Sequence, residues 1–503
     1  MNRLTWAIVA LLIGVSCLRV AATYRVFNHT IDEPGHLSCG LEWLQKHRYT
    51  FEYQHPPLAR ILSAIGPWLQ GVKNLERKED VPSKNPLILY ESSSYYDTLA
   101  SARAGILPFL VMAALAVFLW ARELGGDGAA VSAVALFLTL PAALGHSGLV
   151  TTDASAMAAV PWALYCLDRF GRSPSMKRGI WLGVSVGLGM LCKFSFAVFF
   201  TAGGLLVLIT QRHMLREWRG LLVAGVTAFV VIWSGYLWSM NGWPLRELFL
   251  GLEEVRAHNA DGHPSFLLGE LRLTGWWYFF PVVLFYKTPL AFLLLCLAIP
   301  WLGRRAWLPS ACGLLLLLVV MPSRINLGIR HLLPIYPLLA IGAGLVLWEC
   351  LRNRSVLRYV GGVLLGWQFI ATGLAHPDYF AYFNELALGE PEEIRVDSDL
   401  DWGQNVERIG RVLRERGVRE PVALGVFSSV DPSRHGLEWR QASPWETTYG
   451  WVAVSATELK MSAAVRPPGS RLRPWTWLDQ YTPVERIGGS VLLYYIPRLG
   501  QNR

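Results

Sequence analysis

Apolar runs long enough to cross a bilayer recur along this chain, separated by short basic turns and by a few longer polar stretches. They lie at about 5–22, 104–120, 128–145, 154–168, 220–238, 281–300, 307–321, 331–350 and 358–375. Residues Ile180–Thr210 form one further stretch, too long for one helix, with Lys193 near its middle. The flanking turns decide how it is crossed. Arg169, Arg172, Lys177 and Arg178 precede it, Arg212, Arg216 and Arg219 follow it, and basic turns of this kind stay in the cytoplasm. Two crossings that turn near Lys193 satisfy both ends. The pattern predicts a mainly α, polytopic membrane protein of about eleven transmembrane helices.

The other basic turns, which carry Arg122, Arg305, Arg352 and Arg358, fall on the side of Arg3. That places the N-terminus inside and residues 376–503 outside. The stretch Met1–Thr23 reads as a retained first helix, with a signal peptide cut after Val20-Ala21-Ala22 as the alternative. The outer face then receives the loop 24–101, the turns 146–153 and 322–330, Lys193, the loop 241–280 and the tail. Residues 1–375 are expected to form the membrane domain, and 376–503 a small α/β extracytoplasmic domain. In the tail, Asp401 and Gln404 have the spacing of a capping box. A helical stripe follows at Val406, Ile409, Val412 and Leu413, with Gly417 as its stop. Strands are expected at Val422–Phe427, Trp451–Ser455 and Val491–Ile496.

Composition agrees with this picture. The chain is 53% hydrophobic and only 17% charged, whereas soluble domains carry more charge. The net charge of +9 sits largely in the short turns, so it reads as a topology signal and not as a nucleic-acid surface. The seven cysteines show no CxxC or metal spacing, and most lie in apolar runs, where thiols pack as small hydrophobes.

Candidate chemistry gathers on the outer side. Asp32 and Glu33 stand side by side about ten residues past the first apolar run, and His55-Pro56-Pro57-Leu58 closes the same stretch. One carboxylate at a membrane boundary can take a proton from a hydroxyl, while a second orients it, binds a metal or holds a substrate hydroxyl. The plainer reading is a helix cap with a dipole partner. Asp153, after Thr151-Thr152, has the same two readings. Lys193, Lys287 and Arg330 are boundary or intramembrane cations, suited to phosphate oxygens or to snorkelling. A divalent cation at Asp32 and Asp153 is left open by these residues, as are any other metal ligands. The run Asp397-Ser398-Asp399-Leu400-Asp401 is not a calcium loop, because Trp402 stands where glycine is needed.

The Asp-Glu pair, the His-Pro-Pro-Leu motif and a second acid at Asp153 together resemble the GT-C membrane glycosyltransferases, among them the protein O-mannosyltransferases and aminoarabinose transferases. Gly275-Trp276-Trp277-Tyr278, Lys287-Thr288-Pro289 and Arg330-His331-Leu332-Leu333-Pro334 are similar to the mannosyltransferase group. The tail patterns Tyr382-Phe383-Asn384 and Asp401-Trp402-Gly403-Gln404 resemble bacterial proteins of glycosyltransferase family 39. The resemblance implies a polyprenyl-phosphate-sugar donor, inversion at the anomeric carbon and a bacterial inner membrane. It also implies Asp32 as catalytic base, Glu33 as its support, Asp153 as the second acid and His55 in the loop near the donor. The acceptor, whether protein, lipid or glycan, is not carried over. A transporter or flippase for lipid-linked sugars, or a non-catalytic assembly subunit, is the alternative.

Overall fold

The structure is a computed structural model that describes residues 3–74, 86–303, 305–462 and 474–498. Apolar helices occupy every stretch expected to be one. They run Arg3–Ala21, Leu107–Phe137, Asp153–Arg172, Met176–Cys192, Ser195–Thr210, Trp218–Gly235, Phe279–Lys287 with Leu290–Leu297, Trp307–Val320, Ile335–Arg352 and Val356–Leu374. Among the described residues, four helical segments suffice by length and composition to cross a membrane, or five if the pair Phe279–Lys287 and Leu290–Leu297 is one span. That pair bends by 117°. The helix Leu107–Phe137 breaks at Gly126, whose φ of 79° a side chain would resist. The long stretch around Lys193 is two helices, parted where Lys193 itself turns extended.

Side-chain size explains how the helices meet. Gly179, Gly183 and Gly187 recur every four residues along Met176–Cys192. A methyl group on them would lie 2.5 Å from the Gly220 carbonyl oxygen, 2.4 Å from the Ala224 carbonyl oxygen and 2.7 Å from Val231. The two helices therefore touch backbone to backbone, as small-residue stripes allow in lipid. On the other side of the second helix Leu222, Val226 and Phe229 form an apolar face that stays exposed among the described residues. A soluble protein would bury that face, and hydrocarbon covers it without cost.

The long loop that follows the first helix is compact and carries the helices Glu33–Lys46, Leu58–Leu69 and Tyr95–Ala104. The buried pair Glu33–Arg103 holds it together. Arg103 Nε donates to Glu33 Oε1 at 2.8 Å and Nη2 donates to Oε2 at 2.7 Å. The same guanidinium caps the carbonyls of Tyr24, Phe27 and Asn28.

The tail holds a five-stranded mixed sheet, in the order Trp439–Gln441, Val422–Gly425, Gly450–Ser455, Val491–Ile496 and Glu485–Ile487. The first two pairings are parallel and the last two antiparallel, with Ala423 opposite Val452 and Val452 opposite Tyr494. The helix Val406–Glu415 lays Ile409 and Leu413 against Leu424, Ala453 and Leu493. Gly417 ends it, with a φ of 70°.

The expected capping box is not formed. Gly403 breaks the chain with a φ of 84°, so the helix starts later, at Val406. Gln404 Oε1 accepts from the Trp402 amide instead, at 2.7 Å, and Asp401 turns toward Thr457. Asp401 is almost fully buried, and burial pushes its carboxyl up to about 6. An acid raised in the folded state costs stability once ionised. This contribution is therefore most favourable below the ordinary carboxyl value of 3.8, and is lost as pH rises through about 6. The expected result is that Asp401→Asn gains on the wild type by up to about 3 kcal/mol between pH 4 and pH 7, read from the difference in their unfolding curves. A pH-independent difference would remove the claim.

Candidate active site at the long loop

Asp32 immediately precedes the helix Glu33–Lys46, with Pro34 in that helix's first turn. Its neighbour points elsewhere: Glu33 is buried and fully engaged. Beyond Arg103, its carboxylate accepts from the amides of Thr30 at 2.8 Å and Val150 at 2.9 Å. Burial alone would raise its pKa, but the Arg103 guanidinium and these amides reverse that and hold it below the ordinary carboxylate value. Glu33 thus ties the loop to the turn before Asp153, and it has no free lone pair for a substrate.

Asp32 is more than a quarter exposed and takes one partner from far away in sequence: Arg330 Nη1 donates to its Oδ2 at 3.2 Å. A second pair lies close by. Lys193, in the break between two helices, donates to Oδ1 of Asp153, the first residue of the helix Asp153–Arg172. Four distant segments therefore deliver two cation–carboxylate pairs to one place. His55 lies within electrostatic reach of all four charges. Burial and the Lys193 ammonium push its imidazole down to about 4, so the ring is neutral at ordinary pH.

A network that sequence reasoning missed supports His55. Arg60 donates through Nε to His36 Nδ1 at 2.9 Å and through Nη1 to Tyr49 Oη at 2.6 Å. It also pairs with Glu52, whose carboxylate takes the His55 amide at 3.0 Å. The rings of His36 and His55 meet edge to face at 5.0 Å. Arg60 stands two residues beyond the His-Pro-Pro-Leu motif, and its closeness to that motif was the available signal. Arg103 escaped notice because it opens an apolar run.

Lys287 is not brought to this cluster. It is buried, and its ammonium donates to the carbonyls of Phe380 at 2.8 Å and Asp399 at 2.5 Å, with the Phe383 ring below it. It fastens the tail to a bent helix pair, so the expected substrate contact is replaced by an internal one. Asp32 and Asp153, the acids left open as metal ligands, each face a cation here, Arg330 and Lys193 respectively. Among the described residues no three His, Cys, Asp or Glu side chains are grouped to hold a metal ion.

Residues 98–238 match the family model described as dolichyl-phosphate-mannose-protein mannosyltransferase. Among solved structures the chain is similar to ArnT from Cupriavidus metallidurans bound to undecaprenyl phosphate. Identity is 14% and the TM-score 0.55, over 98% of this chain and 98% of that one. The apo state of that protein gives 14% identity and a TM-score of 0.52, over 96% and 97% of the two chains. The apo oligosaccharyltransferase of Archaeoglobus fulgidus is similar over 88% of this chain and 62% of that one, at 15% identity and a TM-score of 0.43. No curated protein matches. The chain is a mainly helical integral membrane protein that shares its fold with ArnT over nearly the whole of both chains, and the match of residues 98–238 to the mannosyltransferase model agrees with the resemblance read from its motifs.

Proposed function

We propose that this protein transfers a sugar from a polyprenyl-phosphate donor to an acceptor at the extracytoplasmic membrane face, with inversion at the anomeric carbon. The carrying observation is the pairing of Asp32 with Arg330 beside Asp153 and Lys193. This arrangement suits a reaction in which a proton and an anion must be handled a few ångströms apart. The ArnT structure similar to this one holds undecaprenyl phosphate, which supports a lipid-phosphate donor here.

In this reading the donor phosphate competes with the carboxylates for the two cations. A phosphate oxygen that takes Arg330 Nη1 leaves the Asp32 carboxylate free as a general base. The acceptor hydroxyl or amine then gives its proton to Asp32 while its lone pair forms the bond to the anomeric carbon. The bond from that carbon to the phosphate oxygen breaks on the opposite face, and its electron pair stays with the polyprenyl phosphate. Lys193 and Arg330 offset the charge that builds on the leaving oxygen. Asp153 holds Lys193 in place, Glu33 fixes the turn that carries Asp32, and neutral His55 adds no competing charge. The lipid tail of the donor lies in the bilayer, so the phosphate arrives at the helix ends where these residues stand. The eleven crossings and the extracytoplasmic tail belong to this proposal.

The test uses purified protein, a radiolabelled polyprenyl-phosphate sugar and envelope extract as the source of acceptor. Sugar transfer is the expected result, whereas movement of intact lipid-linked sugar across vesicles without cleavage would favour a flippase. Arg330→Ala and Lys193→Ala are each expected to raise the KM for donor by roughly 10–150-fold, the value of a lost charge-assisted hydrogen bond. Unchanged donor kinetics in both variants would discard the phosphate clamp.

A further inference from the structure

The tail pattern Asp397-Ser398-Asp399-Leu400-Asp401-Trp402-Gly403-Gln404 has no part in the chemistry described so far. Its contacts reach both turns of the Asp32–Arg330 pair. On the Arg330 side, the Asp399 carboxylate accepts the Ile329 amide at 2.8 Å, and the Ser398 hydroxyl donates to the Leu327 carbonyl. On the Asp32 side, the Ile31 amide donates to the Trp402 carbonyl at 3.4 Å, and Asn28 Nδ2 donates to the Gly403 carbonyl at 2.6 Å. One short segment thus holds two turns that lie some three hundred residues apart in sequence (the Asp32–Arg330 separation is 298).

Between those anchors sits Trp402, nearly fully buried. Its ring lies under the Arg330 guanidinium, 4.4 Å from centroid to Cζ, and is backed by the Phe380 ring, which stacks on it at 6.0 Å and 10°. A guanidinium held face-on to an indole keeps its N–H edge free for in-plane acceptors. Arg330 shows that edge: Nη1 reaches Asp32, while Nε is buried without a hydrogen-bond partner among the described residues. A buried guanidinium N–H left unpaired is costly unless something occupies it for part of the cycle.

We infer that Trp402 is a positioning residue for Arg330: the tail supplies the aromatic face that aims the guanidinium edge at an anionic oxygen of the substrate. The inference rests on the proposed role of Arg330 at the donor phosphate. It makes the tail a working part of the site and not a separate appendage.

The test titrates decaprenyl phosphate into the full-length protein in detergent, comparing wild type with Arg330→Ala, Trp402→Ala, Trp402→Leu and Trp402→Phe. Phenylalanine keeps a π face, whereas leucine fills similar space without one. Trp402→Ala and Trp402→Leu are expected to weaken binding about ten-fold, and Trp402→Phe to stay within about three-fold of wild type. Equal binding by the Phe and Leu variants, at any strength, would overturn the inference, because packing alone would then account for the ring. So would wild-type binding by Trp402→Ala. Wild-type binding by Arg330→Ala would instead remove the lipid-phosphate reading, and the positioning role with it.

Discussion

Asp32→Asn is expected to lower sugar transfer by about 10²–10⁴-fold while the protein still inserts, folds and binds its lipid. The amide is nearly the same shape as the carboxylate but cannot accept a proton at neutral pH. Asp32 is partly exposed, and the largely buried Arg330 keeps the nearby Asp153 carboxylate as a counter-charge. Arg330 loses one ionic partner, and it keeps the Trp402 ring beneath it. Donor affinity should therefore stay level or improve, since the phosphate no longer competes with Asp32 for the guanidinium. The check is a pair of measurements on one preparation, turnover with labelled donor and equilibrium binding of decaprenyl phosphate. Full turnover in the variant would take the base role from Asp32. Binding lost together with turnover would mean that Asp32 supports the site in some other way.

The adjacent acid should behave in the opposite manner. Glu33→Gln is expected to cost about 3–5 kcal/mol of stability, because it leaves the buried Arg103 guanidinium without a counter-charge. Both side chains of this pair are about 1% exposed, so water cannot take over the lost contact. The effect should show as reduced yield and a lowered midpoint in a detergent unfolding assay. Whatever protein does fold should retain transfer close to that of the wild type, since Glu33 touches no reacting atom. A stable but inactive Glu33→Gln would move Glu33 into the chemistry. Two neighbouring carboxylates thus give opposite phenotypes, one catalytic without a folding defect and the other structural without a chemical one.

Much of this was legible in the chain. Apolar runs and basic turns located the apolar helices outside the long loop, though not Leu58–Leu69 within it, and the parity of basic residues placed the break near Lys193, where the helix parts. Asp32, Asp153, Lys193, Arg330 and His55 were each visible as charges or rings at helix boundaries, where an unused polar group is expensive. What sequence could not show was the pairing. Nothing local says that Asp32 meets Arg330, or that Lys193 meets Asp153, because long-range folding makes those contacts. The same gap misassigned Lys287, which looked like a substrate cation and is consumed by two backbone carbonyls. Residues 401–404 had capping-box spacing, yet Gly403 and the needs of neighbouring turns overrode it. Arg60 and Arg103 were hidden by their apolar surroundings, although buried arginines are where the loop spends its strongest hydrogen bonds.

The bracket between Asn28 and Gly403 also dictates when a nascent chain can become competent. The two residues are 375 positions apart, and the ribosome needs roughly 20–75 s to travel between them. During that interval the early outer segment must persist without its late partner. A message cut short before codon 403 would leave a membrane stub with its acid in place and no clasp to hold it.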